Sequence, residues 1–284
     1  ELPTNVVQPA GQKISPNERT QLPIVMSTGS HHMQVYWFPM GKGRMLGQFP
    51  LVYLKEDNRW VPRKSCFLEP PTDATDIEVG RWNNTCLQCH TTNPKQRLSR
   101  EFVFDTQVSE FGISCEACHG PGKPHVEKHQ ALLESSTGVE LSGLPDDSII
   151  NPLRLDKQKQ AQVCGQCHSL FESNHPQTFL ENGLDYQPGN ELFENRQMIF
   201  HEDTDPGLVY YNMFWSDGTV RIGGREYQGL ARSKCFTHGE MTCLSCHSLH
   251  SMEEPDNQLG FGMNSNQACL QCHKEPQYTT ELES

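Results

Sequence analysis

Ten of the 12 cysteines fall into five copies of one pattern, Cys-x-x-Cys-His: Cys86–His90, Cys115–His119, Cys164–His168, Cys243–His247 and Cys269–His273. On a helical turn, positions i, i+3 and i+4 share a face. Two thiols and an imidazole presented in this way can bond both vinyl groups of one porphyrin and reach its iron. The thiol pairs are Cys86 and Cys89, Cys115 and Cys118, Cys164 and Cys167, Cys243 and Cys246, and Cys269 and Cys272. The axial imidazoles are those of His90, His119, His168, His247 and His273. The pattern predicts five covalently bound haem c groups. Zinc ribbons and thioredoxin-like dithiols also use Cys-x-x-Cys, but neither chemistry requires a histidine after every pair.

Each iron has a second face, and its occupant separates an electron carrier from an enzyme. Eight histidines lie outside the motifs: His31, His32, His125, His129, His175, His201, His238 and His250. Five vacancies against eight histidines predict bis-histidine coordination throughout. His250 follows His247 by three residues and cannot swing to the far face of its own porphyrin, so any iron it binds belongs to a neighbouring group. The same argument applies to His238, just before Cys243, and to His125, just after His119. These three and one of His31 and His32 are the expected distal ligands. The fifth is left open among His129, His175, His201, the other member of the His31/His32 pair and a second molecule. An exposed helix face, Glu127–Gln130, accounts equally well for His129.

The elements that must position these residues are short. Residues 1–80 carry no motif and read as β-rich, with aromatic and β-branched runs at 34–38, 51–54 and 59–61 and a polar turn at 55–58. Residues 81–284 form the pentahaem-binding region, with a β-hairpin insertion at about 205–225 around Asp217-Gly218. Each motif should sit on a short helix, and Gly120-Pro121-Gly122 should end the second. The motifs start 29, 49, 79 and 26 residues apart, so they do not form a fixed-period solenoid. The expected fold class is a multihaem cytochrome c, mostly loops and short helices wrapped around a haem chain, with small β-hairpins.

Only 35% of the residues are hydrophobic, low for a core made of side chains alone, so porphyrins must supply apolar bulk. The formal net charge of −12 argues against nucleic acid as a partner and fits a basic or metal-bearing redox protein better; copies of the same chain are the other expected partner. No apolar run reaches the ~18 residues that span a bilayer. Glu1-Leu2-Pro3-Thr4 lacks a basic and an apolar signal region, which suggests numbering from a processed end. Haem c attachment implies a periplasmic or extracellular location. In such an oxidising compartment Cys66 and Cys235, the two cysteines outside motifs, are expected to form a disulfide.

Several segments resemble the cytochrome c554-like multihaem family, the type often fused to tetratricopeptide repeats. They are Gly29–Trp37, Arg81–Cys86, Gly112–Gly122, Tyr186–Gly189 and Cys235–Gly239 leading into Cys243. The resemblance spans about residues 28–273 and implies a periplasmic or extracellular electron-transfer role, with His125, His238 and His250 matching histidines the family uses near its haems. Relatives commonly carry a further motif upstream of Gly29–His32, and no tetratricopeptide repeat follows residue 273. These departures suggest a trimmed or specialised member lacking one ligand that relatives supply internally.

Three functions are open at this point. The first is electron transfer along closely spaced bis-histidine haems, with no catalytic residue. The second is a subunit of a polymeric extracellular filament that conducts electrons, in which a neighbour completes one haem. The third is reduction or oxidation of a small nitrogen or sulfur compound at one open haem. The motifs keep histidine throughout, and no acid–base cluster surrounds any of them, which favours the first.

Overall fold

The computed structural model describes residues 21–41, 43–66, 80–101, 103–135, 146–208, 210–253 and 255–274. Its regular β structure is concentrated before the first motif. A small antiparallel sheet contains β1 (Met26–Thr28), β2 (Met33–Pro39), β3 (Leu46–Gln48), β4 (Leu51–Leu54) and β5 (Arg59–Pro62). Strand β2 is central: β1 pairs along one edge, while β3 and β4 share the other, Trp37 facing Gln48 and Gln34 facing Tyr53. The run 51–54 pairs with 59–62, so the polar residues 55–58 do form the hairpin turn, with Asn58 at φ 49°. Gly29, at φ 87°, closes the β1–β2 turn; a Cβ there would lie 2.1 Å from the carbonyl oxygen of Met33.

Alternation along β2 sends Val35 and Trp37 inward, where they meet Val52 and also Trp82 and Leu87 of the first motif segment. Trp37 and Trp82 meet edge to face with centroids 5.3 Å apart. Asn83, almost fully buried, receives the Leu46 amide at 2.9 Å and donates to the Arg44 carbonyl at 3.0 Å. One core thus crosses residue 80, and the sheet is a buttress for the first motif.

Beyond residue 90 the chain is loops, short helices and two-stranded ladders, β6 (Thr91–Thr92) with β7 (Glu110–Phe111) and β8 (Phe171–Ser173) with β9 (Arg196–Met198). Small antiparallel sheets amid loops and short helices are the architecture expected. Two apolar clusters hold this part, Ala161–Tyr227–Phe236 and Leu170–Ile199–Phe214. Around 205–225 the expected hairpin shrinks to one bridge, Phe214 to Val220, across the Asp217-Gly218 turn. Its first arm is a 3-10 turn, Tyr211–Met213, instead of a strand. The aromatic run is used up packing Tyr210, Met213 and Phe214 into the second cluster, which a flat strand would not do.

The expected Cys66–Cys235 disulfide is absent: both cysteines are free. Cys66 packs at the foot of the sheet on the Trp37–Trp82 core, whereas Cys235 is exposed on the helix Lys234–Thr237 before the fourth motif. They end on different bodies of packing, and each is held by its own helix. No described helix is long and apolar enough to cross a membrane.

Candidate haem-binding site

Each motif lies on a single helical turn or two. The first spans a π-turn Trp82–Cys86 and the helix Leu87–His90, and the second fills the helix Cys115–His119. The third ends the helix Lys157–His168, the fourth starts on the 3-10 turn Cys243–Ser245, and the fifth sits on Gln267–Leu270. In the last two, the histidine amide bonds back to the first cysteine's carbonyl, His247 to Cys243 at 3.0 Å and His273 to Cys269 at 2.9 Å. That one-turn closure brings both cysteines and the histidine onto one face. Gly120, at φ 73°, ends the second helix, its amide bonding Glu116 at 3.0 Å.

The motifs touch one another, through the residues between the cysteines and through the cysteines themselves. Gln166 of the third motif donates to the Ala117 carbonyl of the second at 2.8 Å. Gln271 of the fifth donates to Ser245 of the fourth at 3.1 Å and lies 3.8 Å from the Cys246 sulfur. Between the first and third motifs, Cys89 Sγ lies 3.6 Å from the Cys167 carbonyl, and Cys167 Sγ lies 3.9 Å from that of Gln88. The third and fourth motifs meet where Cys164 and Cys243 lie close enough for each thiol to shift the other. These thiol contacts lower Cys89 and Cys243 to about 7 and raise their partners Cys167 and Cys164. The third motif is therefore a junction meeting the first, second and fourth, and the fifth extends from the fourth.

An axial histidine needs one ring nitrogen tethered and the other free. His119 Nδ1 lies 2.7 Å from the Ile150 carbonyl, His168 Nδ1 2.8 Å from the Glu226 carboxylate and His247 Nδ1 3.1 Å from the Asn257 carbonyl. All three keep Nε2 for a metal. Three histidines outside the motifs share this arrangement: His31 on Ser30 Oγ at 2.8 Å, His238 on Thr237 Oγ1 at 2.9 Å, and His125 on Asp146 Oδ2 at 2.9 Å. His129 differs, because its Nε2 is the atom bound to Asp146, at 2.6 Å. Hydrogen bonds from Lys128, Ser148 and His129 hold the Asp146 carboxyl far below the usual carboxylate range. His175 caps the helix Pro176–Asn182, and His201 packs on Tyr211 and Phe214. His32 is exposed at the β1–β2 turn beside His31.

One pairing crosses the chain. The rings of His119 and His250 have centroids 5.8 Å apart and planes within 13° of each other. Near-parallel rings at this separation would let both imidazoles serve one haem iron. His250 thus stands at the second motif's histidine and not at its own.

The surroundings fit a large apolar group at these motifs. Phe111 and Ile113 flank the second motif at 76% and 66% exposure, and Phe261, between the fourth and fifth, is 84% exposed. Side chains of this size rarely face water in clusters beside reactive thiols. A cleft of about 630 Å³ beside the second motif is lined by Cys115, Lys123, His125, Val126 and Ile149 among others. Thioether-forming cysteine pairs, tethered histidines and uncovered apolar side chains are together the donor set and the walls of a haem c site.

The five Cys-x-x-Cys-His motifs point to a class, the multihaem c-type cytochromes, haem-iron proteins of electron transport. Within it, residues 63–120 match the family described as cytochrome c554 and c-prime, bearing out the c554-like resemblance. The chain is 24% identical over 234 residues to cytochrome c nitrite reductase subunit NrfA of Nitratidesulfovibrio vulgaris, covering 71% of this chain and 42% of that protein. It is 25% identical over 175 residues to the C-type polyheme cytochrome OmcC of Geobacter sulfurreducens, covering 58% of this chain and 20% of that protein. The chain spans less than half the length of either relative. Among solved structures, the outer cell wall cytochrome OcwA aligns with a TM-score of 0.44 at 19% identity, over 84% of this chain and 48% of that one.

Sequence reasoning did not single out the glutamines between the motif cysteines, nor Glu226 and Asp146. A repeated glutamine just before the second cysteine, at Gln88, Gln166 and Gln271, was the available signal.

Proposed function

We propose that this chain is an extracytoplasmic pentahaem c-type cytochrome that moves electrons along closely spaced, bis-histidine haems. The observation that carries this reading is the continuous contact of the five motifs, with the third as junction. Attached haem supplies one-electron ferric/ferrous chemistry at each motif. The cysteines fix the position of each group, and the tethered imidazoles fix the orientation of each iron ligand. Facing imidazoles on both sides of an iron leave no vacancy for a substrate there, and the fifth distal ligand comes from His129, His175, His201, His32 or a second molecule. The ring alignment supports His250 as the partner of His119 on one iron, and tethered Nδ1 atoms support His125, His238 and His31 as distal ligands. Electrons pass to and from redox proteins or further copies of the chain.

Mass spectrometry of the denatured holoprotein should give five haem additions. Electron paramagnetic resonance should show low-spin ferric signals only. His250→Met should raise the potential of one haem while leaving five attached. Fewer than five haems would overturn the count, and a substantial high-spin signal would favour the reductase reading. Helical arrays in negative-stain micrographs would instead make the chain a filament subunit.

A further inference from the structure

The short helix Glu226–Arg232 and the residue before it are fitted to the third motif one residue at a time. Arg225 Nη1 donates to the Cys167 carbonyl at 2.9 Å, and Glu226 Oε2 accepts from His168 Nδ1 at 2.8 Å. Tyr227, 3% exposed, covers Gly165 so closely that a Cβ there would lie 2.8 Å from its ring. Gln228, 2% exposed, donates to the Leu170 carbonyl at 2.6 Å. The other Glu226 oxygen accepts the Gly224 amide at 2.9 Å, so the carboxylate is fixed at both ends. As an ion pair it adds little stability, both side chains being more than half exposed. Its consequence lies in what it does to the imidazole.

His119 and His247 donate to neutral backbone carbonyls, whereas His168 donates to a carboxylate. A charged acceptor draws the Nδ1 proton more strongly and makes Nε2 a better donor to iron, which favours the ferric state. On the other side of the same turn, the Arg225 guanidinium shares the Cys167 carbonyl with Cys89 of the first motif. A cation there acts on both motifs, so what sets the third apart is the Glu226 carboxylate on His168. We infer that Glu226 is a positioning residue that makes the third-motif haem, the junction of the network, more reducing than a neutral acceptor on His168 would leave it. This rests on the reading above that both motifs carry haem.

The test is Glu226→Gln in the holoprotein, a change that keeps size and an acceptor oxygen but removes the charge. Five haems by mass in both proteins, with one haem's oxidised-to-reduced ratio shifted about tenfold toward reduction, is the expected result; for one electron that is 59 mV. Glu226→Asp, which keeps the charge, should move the same haem less. Equal shifts in the two variants, or none with five haems retained, would overturn the inference. A wild-type chain without haem at Cys164 and Cys167 would overturn the functional reading itself. If the glutamine variant does not mature, the reduced, diamagnetic wild type decides. The His168 Nδ1 proton should resonate well downfield of those of His119 and His247, together with that of His125, whose partner is the Asp146 carboxylate; a His168 proton grouped with the carbonyl-bonded pair would rule the inference out.

Discussion

The sheet at residues 26–62 and the motif region beyond it are held together by different materials. In the sheet, Val35, Trp37 and Val52 make an ordinary core with Trp82 and Leu87, and pleat alternation places them. In the motif region many of the buried side chains are polar, among them Gln96, Gln162, Gln228, Thr91 and Thr92, while Phe111, Ile113, Leu133 and Phe261 face outward. A chain that buries glutamine and exposes phenylalanine has its apolar partner elsewhere. The first region can hold itself together by side-chain burial, while the second, with haem attached as proposed above, would draw its apolar bulk from the porphyrins.

Removing one attachment should break that symmetry most strongly. In Cys243→Ala/Cys246→Ala, hydrogen exchange followed by mass spectrometry should show lost protection across 234–274, while amides of β2 and β4 stay protected. Equal loss in both regions would mean that the sheet leans on haem as well. Next in size is Trp82→Ala, which empties a buried aromatic site at the junction of sheet and first motif. It should cost about 3–5 kcal/mol in denaturant unfolding without changing the haem count.

Gly165→Ala is expected to be smaller. Its Cβ would press on Tyr227 and Leu192, and overpacking of that kind costs roughly 1–3 kcal/mol. Its signature should be a disturbed third-motif haem, visible as a shifted potential, with the sheet untouched. Gln271→Ala removes the clip between fifth and fourth motifs and should cost about 1 kcal/mol, read as earlier thermal loss of the fifth haem's optical signature. The smallest effect concerns pH. The hydrogen bond from His168 holds the Glu226 carboxyl at about 2, below its ordinary 4.5. A depressed carboxyl contributes above its unfolded pKa and loses that contribution as pH falls through the folded one. Spectroelectrochemical titration should therefore find no Glu226-linked change in potential between pH 5 and 8.

Sequence by itself determined what is local. The helical turn under each Cys-x-x-Cys-His needs only i, i+3 and i+4, so the five turns were legible, as were the β2 run, the β4–β5 hairpin and the glycine ending the second motif's helix. The run 208–215 misled because its aromatics are strand formers in isolation, yet tertiary packing turns Tyr211–Met213 into a 3-10 segment over Leu170 and Ile199. Cys66 and Cys235 looked like a pair by elimination, but elimination carries no distance, and their packing partners differ. Only the folded chain decided that His250 faces His119, that the third motif is the junction and that Glu226 meets His168. Each of these joins residues dozens of positions apart, through a few hydrogen bonds and ring contacts that leave no periodic trace in the chain. Spacing along a helix is fixed by backbone geometry, whereas partners across the fold are fixed by which surfaces must be buried together.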